Sequence, residues 1–372
     1  MSLRIGSLLG IPVRLHYTLI LAVILIAWNL ASGYMPSEYP GLSSREYWAI
    51  GVLGAITLFT SVLIHELAHS YVAKKNGLPV KRIVLFLFGG VSEIEEEPRS
   101  PGLEFKVAVV GPASSFVIGA ALGLAWYLLG RLRLSPLILA PLEYGGFINV
   151  MLGGFNLLPA FPLDGGRILR AALWKSKKDL IGATRMATRF GVAFSYVFMI
   201  GGVLVILGGS FTSGLWFMLI GWFLKSGAEG SLQQTIVSES LVGVAIKDVM
   251  TRDIHAVEPH VLLSDLVDNY FSRYKHGGFP VTKNSTLLGL VTIQDVKKVP
   301  REKWHEVRVG DVMTPCEKLV CVKSDDMAID ALIKMSKQAV GRLPVQQEGK
   351  LVGIVTRSDV MRAIKIRTEL GS

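Results

Sequence analysis

Long apolar blocks in the first 225 residues or so restrict this chain more than any other feature. Six segments are candidates to cross a bilayer, at residues 15–33, 47–73, 103–129, 137–158, 190–208 and 215–224, the last of them short. With 51% hydrophobic and only 18% charged residues, the composition excludes an ordinary soluble protein. From Thr235 onward, apolar and charged residues alternate as in a soluble domain. We therefore predict a polytopic α-helical membrane protein, with about six transmembrane helices, followed by a soluble tail.

The loop charges predict the orientation of these helices. Lys and Arg are concentrated in the second-to-third and fourth-to-fifth loops, whereas the opposite loops hold only Arg45, Arg131 and Arg133. By the positive-inside rule, the protein is a multi-pass cell-membrane protein whose N-terminus and tail face the cytosol. The net charge of +10 belongs largely to these loops, so we do not infer nucleic-acid binding. The only cysteines, Cys316 and Cys321, form no disulfide framework, which suits a cytosolic tail.

Two histidines and a glutamate lie inside the second apolar segment, in SVLIHELAHSYVAKK. At 1.5 Å per residue, His65 lies roughly 13 Å below the cytosolic surface, where ionisable side chains are costly unless paired or metal-bound. On a helix, His65 and His69 stand one turn apart on one face, so both imidazoles can reach one ion. Glu66 can accept a proton from a water molecule activated at the metal. The H-E-x-x-H pattern therefore predicts a catalytic site with one Zn²⁺ per chain.

A third protein ligand is expected where the fourth segment is broken, in GGFNLLPAFPLDGGRILR. Two prolines and a Gly-Gly pair surround Asp164 there. Irregular backbone at membrane depth is tolerated only where it is buried in protein or lines a water-filled cavity. The alternative is that Asp164 is the N-cap of a helix that begins near Gly166. We favour Asp164 as the metal ligand, although it could serve both purposes.

Three linked motifs carry a family resemblance: HELAHSYVAKK, FGGVSEI and FNLLPAFPLDGGRIL. In order and spacing they resemble the site-2 protease family of intramembrane zinc metalloproteases, over essentially the whole membrane domain. The resemblance implies that His65, His69 and Asp164 bind zinc and that Glu66 is the general base. It also implies that Asn156 steadies the tetrahedral intermediate, since a donor amide near the metal suits that role.

The stretch KRIVLFLFGGVSEIEEEP has too few apolar residues to span a membrane, and a Gly-Gly pair interrupts it. The resemblance implies a short membrane-associated β-sheet beside the active site. An edge strand there could hold an extended substrate as an added strand. The alternative is an interfacial loop with no role. We interpret His16, near the cytosolic interface, as structural.

The tail contains an internal repeat. DVMTRDIHAVEP matches DVMTPCEKLVCVKS, and FPVTKNSTLLGLVTIQDV matches LPVQQEGKLVGIVTRSDV. Such units of strand, helix, strand, strand and helix pack as a pair because each alone buries too little surface. They resemble CBS domains, whose clefts often bind an adenine nucleotide (ATP or AMP). The resemblance implies nucleotide contacts from the residues of two T-x-x-D motifs, Thr292, Asp295, Thr356 and Asp359. A strand-end Thr beside a helix N-terminus suits an anion, and the alternative is that the pair only forms a homodimer.

These patterns predict four regions: a transmembrane zinc metalloprotease domain at 1–230, a linker at 231–244, and CBS domains at 245–300 and 308–367. The predicted function is an intramembrane zinc endopeptidase that cleaves single-span membrane proteins in contact with lipid, with adenine nucleotide as the regulatory ligand. One alternative is a nucleotide-gated transporter or channel, since CBS pairs also occur there. However, no inverted repeat is visible. A second alternative is a zinc peptidase that acts on soluble cytosolic peptides.

Overall fold

The computed structural model describes residues 2–132, 134–284 and 286–370, so Arg133 lies outside the described residues. The chain forms two compact units, residues 1–233 and residues 234–372. The helices and strands up to residue 240 are β1 (Ser2–Leu8), β2 (Ile11–His16), α1 (Thr18–Asn29), α2 (Met35–Glu38), α3 (Ser44–Lys75), β3 (Val80–Phe86), β4 (Gly89–Ile94), α4 (Pro101–Gly130), α5 (Pro136–Asn156), α6 (Asp164–Lys177), α7 (Leu180–Leu207) and α8 (Phe211–Ser240).

Five helices among the described residues are long and apolar enough to cross a membrane. They cover Thr18–Glu38, Ser44–Lys75, Pro101–Gly130, Pro136–Asn156 and Leu180–Leu207. These helices correspond to the first five predicted segments, and the predicted polytopic helical fold is confirmed. The short sixth segment lies within α8, which is not one of the five.

The first predicted segment began too early, at residue 15. Residues 11–16 instead form β2, and the helix starts at Thr18. In IPVRLH the residues alternate, with Ile11 and Val13 buried and Pro12 and Arg14 less so. This period of two is that of a strand. The apolar run of α1 follows so closely that the strand is hidden in a hydropathy profile.

The predicted short sheet is present and is larger than the sequence indicated. Its four strands have the order β1-β2-β3-β4, so the N-terminal hairpin adds two strands. Strand β2 pairs in parallel with β3, and β3 pairs with β4 in a hairpin with Phe86 opposite Gly89. Buried residues of β2 and β3, such as Ile11 and Ile83, pack with Val62 of α3. The edge strand β4 thereby lies beside the helix that carries H-E-L-A-H.

The second unit is built from two similar halves, and the predicted α/β tail is confirmed. Its elements are α9 (Ile246–Val249), α10 (Leu263–Asp265), α11 (Ser272–Tyr274), β5 (Gly278–Lys283), β6 (Thr286–Thr292), α12 (Ile293–Lys297), α13 (Val309–Val312), β7 (Thr314–Pro315), β8 (Val322–Lys323), α14 (Ala328–Lys337), β9 (Arg342–Gln347), β10 (Lys350–Thr356) and α15 (Arg357–Leu370). Each half has a hairpin, β5-β6 or β9-β10, that leads into a helix. The sheet order is β5-β6-β10-β9-β8, and each half has its own apolar core.

Candidate metal centre

The two histidines of α3 are buried and face each other across one helical turn. Both residues are 4% exposed, and their Nε2 atoms lie 3.1 Å apart. Helix α3 runs through this point without a break, from a capping box between Ser43 and Glu46 to two lysines in its last turn. A regular helix places residues i and i+4 on one face, so the predicted pairing of His65 and His69 follows from α3.

Asp164 completes the cluster from the first turn of α6. Its Oδ2 atom lies 3.1 Å from Nε2 of His65 and 3.1 Å from Nε2 of His69. Asp164 is the first residue of α6, and the N-cap is Leu163, which makes no side-chain capping hydrogen bond. Asp164 is therefore not the N-cap of α6, and its predicted role as a metal ligand stays a prediction. In the part of the chain that the structure describes, His65, His69 and Asp164 are the group of buried side chains arranged to hold a metal ion.

Helix α4 orients the two imidazoles through their other ring nitrogens. Nδ1 of His69 lies 2.6 Å from the carbonyl oxygen of Val107, which can only accept, so Nδ1 carries the proton and donates it. Nδ1 of His65 lies 2.9 Å from Oγ of the buried Ser115. With Nδ1 protonated, Nε2 of His69 has a lone pair free for a metal, and Oγ of Ser115 can accept from Nδ1 of His65 in the same way. Partners of this kind fix the tautomer and ring orientation of metal-binding histidines.

A glycine allows α4 to approach the imidazoles this closely. A Cβ atom on Gly111 would lie 2.1 Å from Nε2 of His69 and 2.6 Å from Nε2 of His65. Both distances are far inside van der Waals contact, so only glycine fits here. The sequence analysis did not single out Gly111 or Ser115. The feature of the sequence that could have identified them is GPASS, a run of small residues and a proline within an apolar segment.

The donor atoms fit a zinc ion. Two ligand atoms about 2.0–2.1 Å from a tetrahedral ion are roughly 3.3 Å apart, close to the three separations of 3.1 Å. Two imidazole nitrogens and one carboxylate oxygen are also a ligand set used by catalytic zinc, which leaves a fourth position for a water molecule or substrate.

Glu66 is held next to this cluster by strand β4. Oγ of Ser92 donates to Oε2 of Glu66 at 2.7 Å, and Ser70 donates to Ser92 at 3.0 Å. Glu66 is partly exposed, whereas the neighbouring His65 is buried. A carboxylate that is anchored on one oxygen and adjacent to the metal ligands suits a general base.

Two other residues from the sequence analysis lie outside the cluster. Asn156 is the last residue of α5, and its amide donates to the carbonyl oxygen of Leu152 at 2.9 Å. Its predicted contact with a reaction intermediate stays a prediction. His16 pairs with Oγ1 of Thr18 at 2.8 Å, at the junction of β2 and α1.

In the tail, each T-x-x-D motif forms a helix cap. Oγ1 of Thr292 donates to Oδ2 of Asp295 at 2.7 Å, and Asp295 accepts from the backbone of Thr292 at the start of α12. Thr356 and Asp359 repeat this arrangement at the start of α15, also with 2.7 Å between side-chain oxygens. The four side chains thus have a local structural role. Their predicted contacts with a nucleotide stay a prediction.

Comparison with known proteins agrees with both parts of this description. The family model described as Peptidase family M50 matches residues 53–133 and 132–200, and the CBS domain model matches 246–302 and 309–366. The zinc metalloprotease MJ0392 of Methanocaldococcus jannaschii is 32% identical over 98% of this chain and 96% of its own length. Rip3 of Mycobacterium tuberculosis is 30% identical over 98% of this chain and 93% of its own length.

Among solved structures, the site-2 protease from Methanocaldococcus jannaschii is 33% identical to this chain. The match covers 62% of this chain and 94% of that one, with a TM-score of 0.44.

Proposed function

This chain belongs to peptidase family M50, the zinc metalloproteases of site-2 protease type, and we propose that it cleaves membrane-protein substrates within or near the bilayer. The observation that carries this proposal is the convergence of Nε2 of His65, Nε2 of His69 and Oδ2 of Asp164 to 3.1 Å. These three side chains would hold one Zn²⁺. A zinc ion bound there would lower the pKa of a water molecule and polarise the substrate carbonyl.

Glu66 performs the proton transfers in this proposal. Its carboxylate accepts a proton from the attacking water molecule and later delivers a proton to the amine nitrogen of the leaving chain, as the peptide C–N bond breaks. The amide of Asn156 stabilises the negative charge on the carbonyl oxygen, after exchanging its contact with Leu152 for the substrate.

The edge strand β4 holds the substrate in this proposal. Strand β4 is the last strand in the order β1-β2-β3-β4, and Ser92 of this strand contacts Glu66. A substrate segment that pairs with β4 would be extended, with its backbone next to the base. Extended backbone matters because a helix hides its peptide groups within its own hydrogen bonds.

Loop charges and apolar helices support a location in the cell membrane, with the N-terminus and tail in the cytosol. Substrates are then single-span membrane proteins that reach the site from the lipid. Soluble peptides are the alternative substrate class, and the experiment below separates the two.

The experiment measures cleavage by purified full-length protein reconstituted in lipid vesicles. A single-span substrate and a soluble peptide with the same cleavable segment are offered to the wild type and to Glu66→Gln. We expect Glu66→Gln to keep zinc but lose activity, because the ligands remain while the proton acceptor is gone. Glu95→Gln, at an exposed glutamate in the same region, is the matched control. Retained cleavage by zinc-loaded Glu66→Gln would remove Glu66 from its role, and faster cleavage of the soluble peptide would reassign the substrate class.

The tail acts in this proposal as a regulatory module that binds ATP or AMP and pairs with a second copy of the chain. Support comes from the two CBS matches and from two helix N-termini that each follow a strand-end threonine. A ligand changes activity only if it binds two states unequally, and a typical coupling of about 1–3 kcal/mol changes activity roughly 5- to 150-fold.

The test of regulation compares cleavage rates with and without ATP or AMP in the full-length protein. Asp295→Ala and Asp359→Ala should weaken nucleotide binding and flatten the response, with zinc content unchanged. Asp311→Ala is the matched control, because Asp311 also accepts from the backbone at a helix start but lies outside the T-x-x-D motifs. Equal rates with and without nucleotide, at full zinc occupancy, would leave the tail as a dimerisation module.

A further inference from the structure

The hydroxyl of Ser92 contacts the proposed general base directly, from a different element of the fold. Ser92 lies in β4, whereas Glu66 lies in α3, and Oγ of Ser92 is 2.7 Å from Oε2 of Glu66. The strand backbone is close as well, since a Cβ atom on Gly90 would lie 2.5 Å from Cγ of Glu66. Gly90 and Ser92 are two residues apart, so both face α3. The side chain of Glu66 is therefore packed against β4 along its length.

The direction of the hydrogen bonds follows from counting protons. A serine hydroxyl has one proton to donate. Ser70, which is fully buried one helical turn after Glu66, donates its proton to Oγ of Ser92. Ser92 must then donate its own proton to Glu66, whose carboxylate Oε2 lies at 2.7 Å and whose carbonyl oxygen lies at 3.1 Å. The carboxylate is both nearer and charged, which makes it the stronger acceptor.

From this arrangement we infer that Ser92 is a positioning residue for the proton transfer, acting through Glu66. The inference rests on the proposed role of Glu66. By holding Oε2, Ser92 sets the direction of the second carboxylate oxygen, Oε1, which is the atom that receives the proton. Ser70 in turn sets the rotamer of the Ser92 hydroxyl. A glutamate side chain otherwise has several rotamers, and fixing one of them removes that entropy cost from the reaction.

A purely structural role for Ser92 makes different predictions. If its hydroxyl only tied β4 to α3 through the carbonyl oxygen of Glu66, its loss would loosen the strand. Substrate binding, folding or zinc content would then change. If Ser92 orients the carboxylate, the loss falls on kcat, while KM, zinc content and thermal stability stay at wild-type values.

The experiment uses three substitutions of Ser92 in the full-length, zinc-loaded protein. Ser92→Ala removes the hydroxyl, Ser92→Cys fills the same space with a weak donor, and Ser92→Thr keeps the hydroxyl on a residue suited to a strand. We expect kcat to fall about 10-fold for Ser92→Ala and Ser92→Cys with KM unchanged, and to recover for Ser92→Thr. Ser92→Cys keeps the test decisive even if Ser92→Ala fails to fold.

Two further comparisons separate this inference from the proposed function. Ser114→Ala is the matched control, since Ser114 lies near the site but donates only to the carbonyl oxygen of Gly111 at 2.7 Å. In a Glu66→Gln background, Ser92→Ala should leave the residual rate unchanged, because the group through which it acts is already gone.

If zinc-loaded Glu66→Gln keeps the wild-type rate, Glu66 loses its proposed role and the inference about Ser92 falls with it. If Glu66→Gln is inactive while Ser92→Cys keeps the wild-type kcat, or while the loss falls on KM or zinc content, only the inference about Ser92 is overturned.

Discussion

Arg170 of α6 and Glu104 of α4 form a buried ion pair, with Nε of Arg170 2.6 Å from Oε1 of Glu104. The exposed fraction is 4% for Arg170 and 0% for Glu104. The guanidinium also lies 5.1 Å from the ring centre of Phe161 and 3.5 Å from a carboxylate oxygen of Glu97. Arg170 is six residues from Asp164 on the same helix, and Glu104 is on the helix that supplies Val107 and Ser115. The pair therefore ties together the two helices that arrange the metal ligands.

Breaking this pair from one side should be costly. We expect Arg170→Met to lower the free energy of unfolding by about 3–5 kcal/mol, because it leaves Glu104 buried without its partner. The double variant Arg170→Met, Glu104→Met should recover most of that loss, since neither charge remains. Thermal unfolding in detergent measures both effects, with Arg185→Met at an exposed arginine as the control. A double variant less stable than Arg170→Met would show that the pair does not act as a unit.

The absence of a side chain at Gly111 should be essential for zinc binding. In Gly111→Ala the new methyl group would lie 2.1 Å from Nε2 of His69, so the imidazoles must move apart. We expect loss of stoichiometric zinc, measured by elemental analysis of the purified protein. Gly123→Ala in the same helix is the control, because a Cβ atom there meets no heavy atom of the described residues within 4 Å apart from its chain neighbours and its own helix backbone. Equal zinc content in both variants would contradict the close packing of α4 against the site.

Asp164 should contribute directly to metal affinity. We expect Asp164→Ala to weaken zinc binding by roughly 10-fold or more, because it removes one of three protein ligands. Competition with a chelator of known affinity gives the zinc dissociation constant. Asp179→Ala, which removes an N-cap carboxylate that accepts from the backbone of Gly182, should bind zinc as the wild type does. Unchanged affinity in Asp164→Ala would require a different third ligand.

The tail should become less stable in acid, because the capping carboxylate of Asp295 loses its charge there. Burial alone would raise the pKa of Asp295, but hydrogen bonds from Thr292 and Lys298 outweigh it and lower the pKa below its usual value. The carboxylate then stabilises the tail above the pKa of an unfolded Asp, about 3.9, and this contribution is lost as the pH falls through the lower pKa of the folded state.

At neutral pH, Asp295→Ala should therefore destabilise the tail by about 1 kcal/mol, and the difference should shrink as the pH falls. Trp304 is the only tryptophan after residue 234, so ¹⁹F NMR of the 5-fluorotryptophan-labelled protein reports unfolding of the tail. A difference that is constant from neutral to acidic pH would show that the cap does not depend on the charge of Asp295.

Much of this architecture could be predicted from residues close together in the chain. Apolar runs identify the first five membrane helices because the bilayer imposes a minimum length on a helix. The H-E-x-x-H spacing pairs His65 with His69 because a helix repeats every 3.6 residues. The repeat in the tail predicts two similar halves because the same pattern of residues folds in the same way twice. Each of these inferences depends only on patterns within short segments of the chain.

Contacts between distant segments could not be obtained in this way. The sequence left Asp164 as either a ligand or a cap, and only the packing of α6 against α3 brings its carboxylate to 3.1 Å from both imidazoles. The strand at 11–16 was hidden by the apolar run of α1 that follows it, and its pairing with β3, about 70 residues away, is a contact between distant segments.

The sequence by itself predicted the pairing of His65 with His69, since helical spacing is a property of neighbouring residues. The tertiary structure alone decided how those residues are held. Ser92, Ser115 and the carbonyl of Val107 reach Glu66, His65 and His69 across gaps of 26, 50 and 38 residues. A hydroxyl or a carbonyl is too common to predict such a contact from its position in the chain. Its partner is set by which helices and strands pack side by side, and that depends on the whole folded domain.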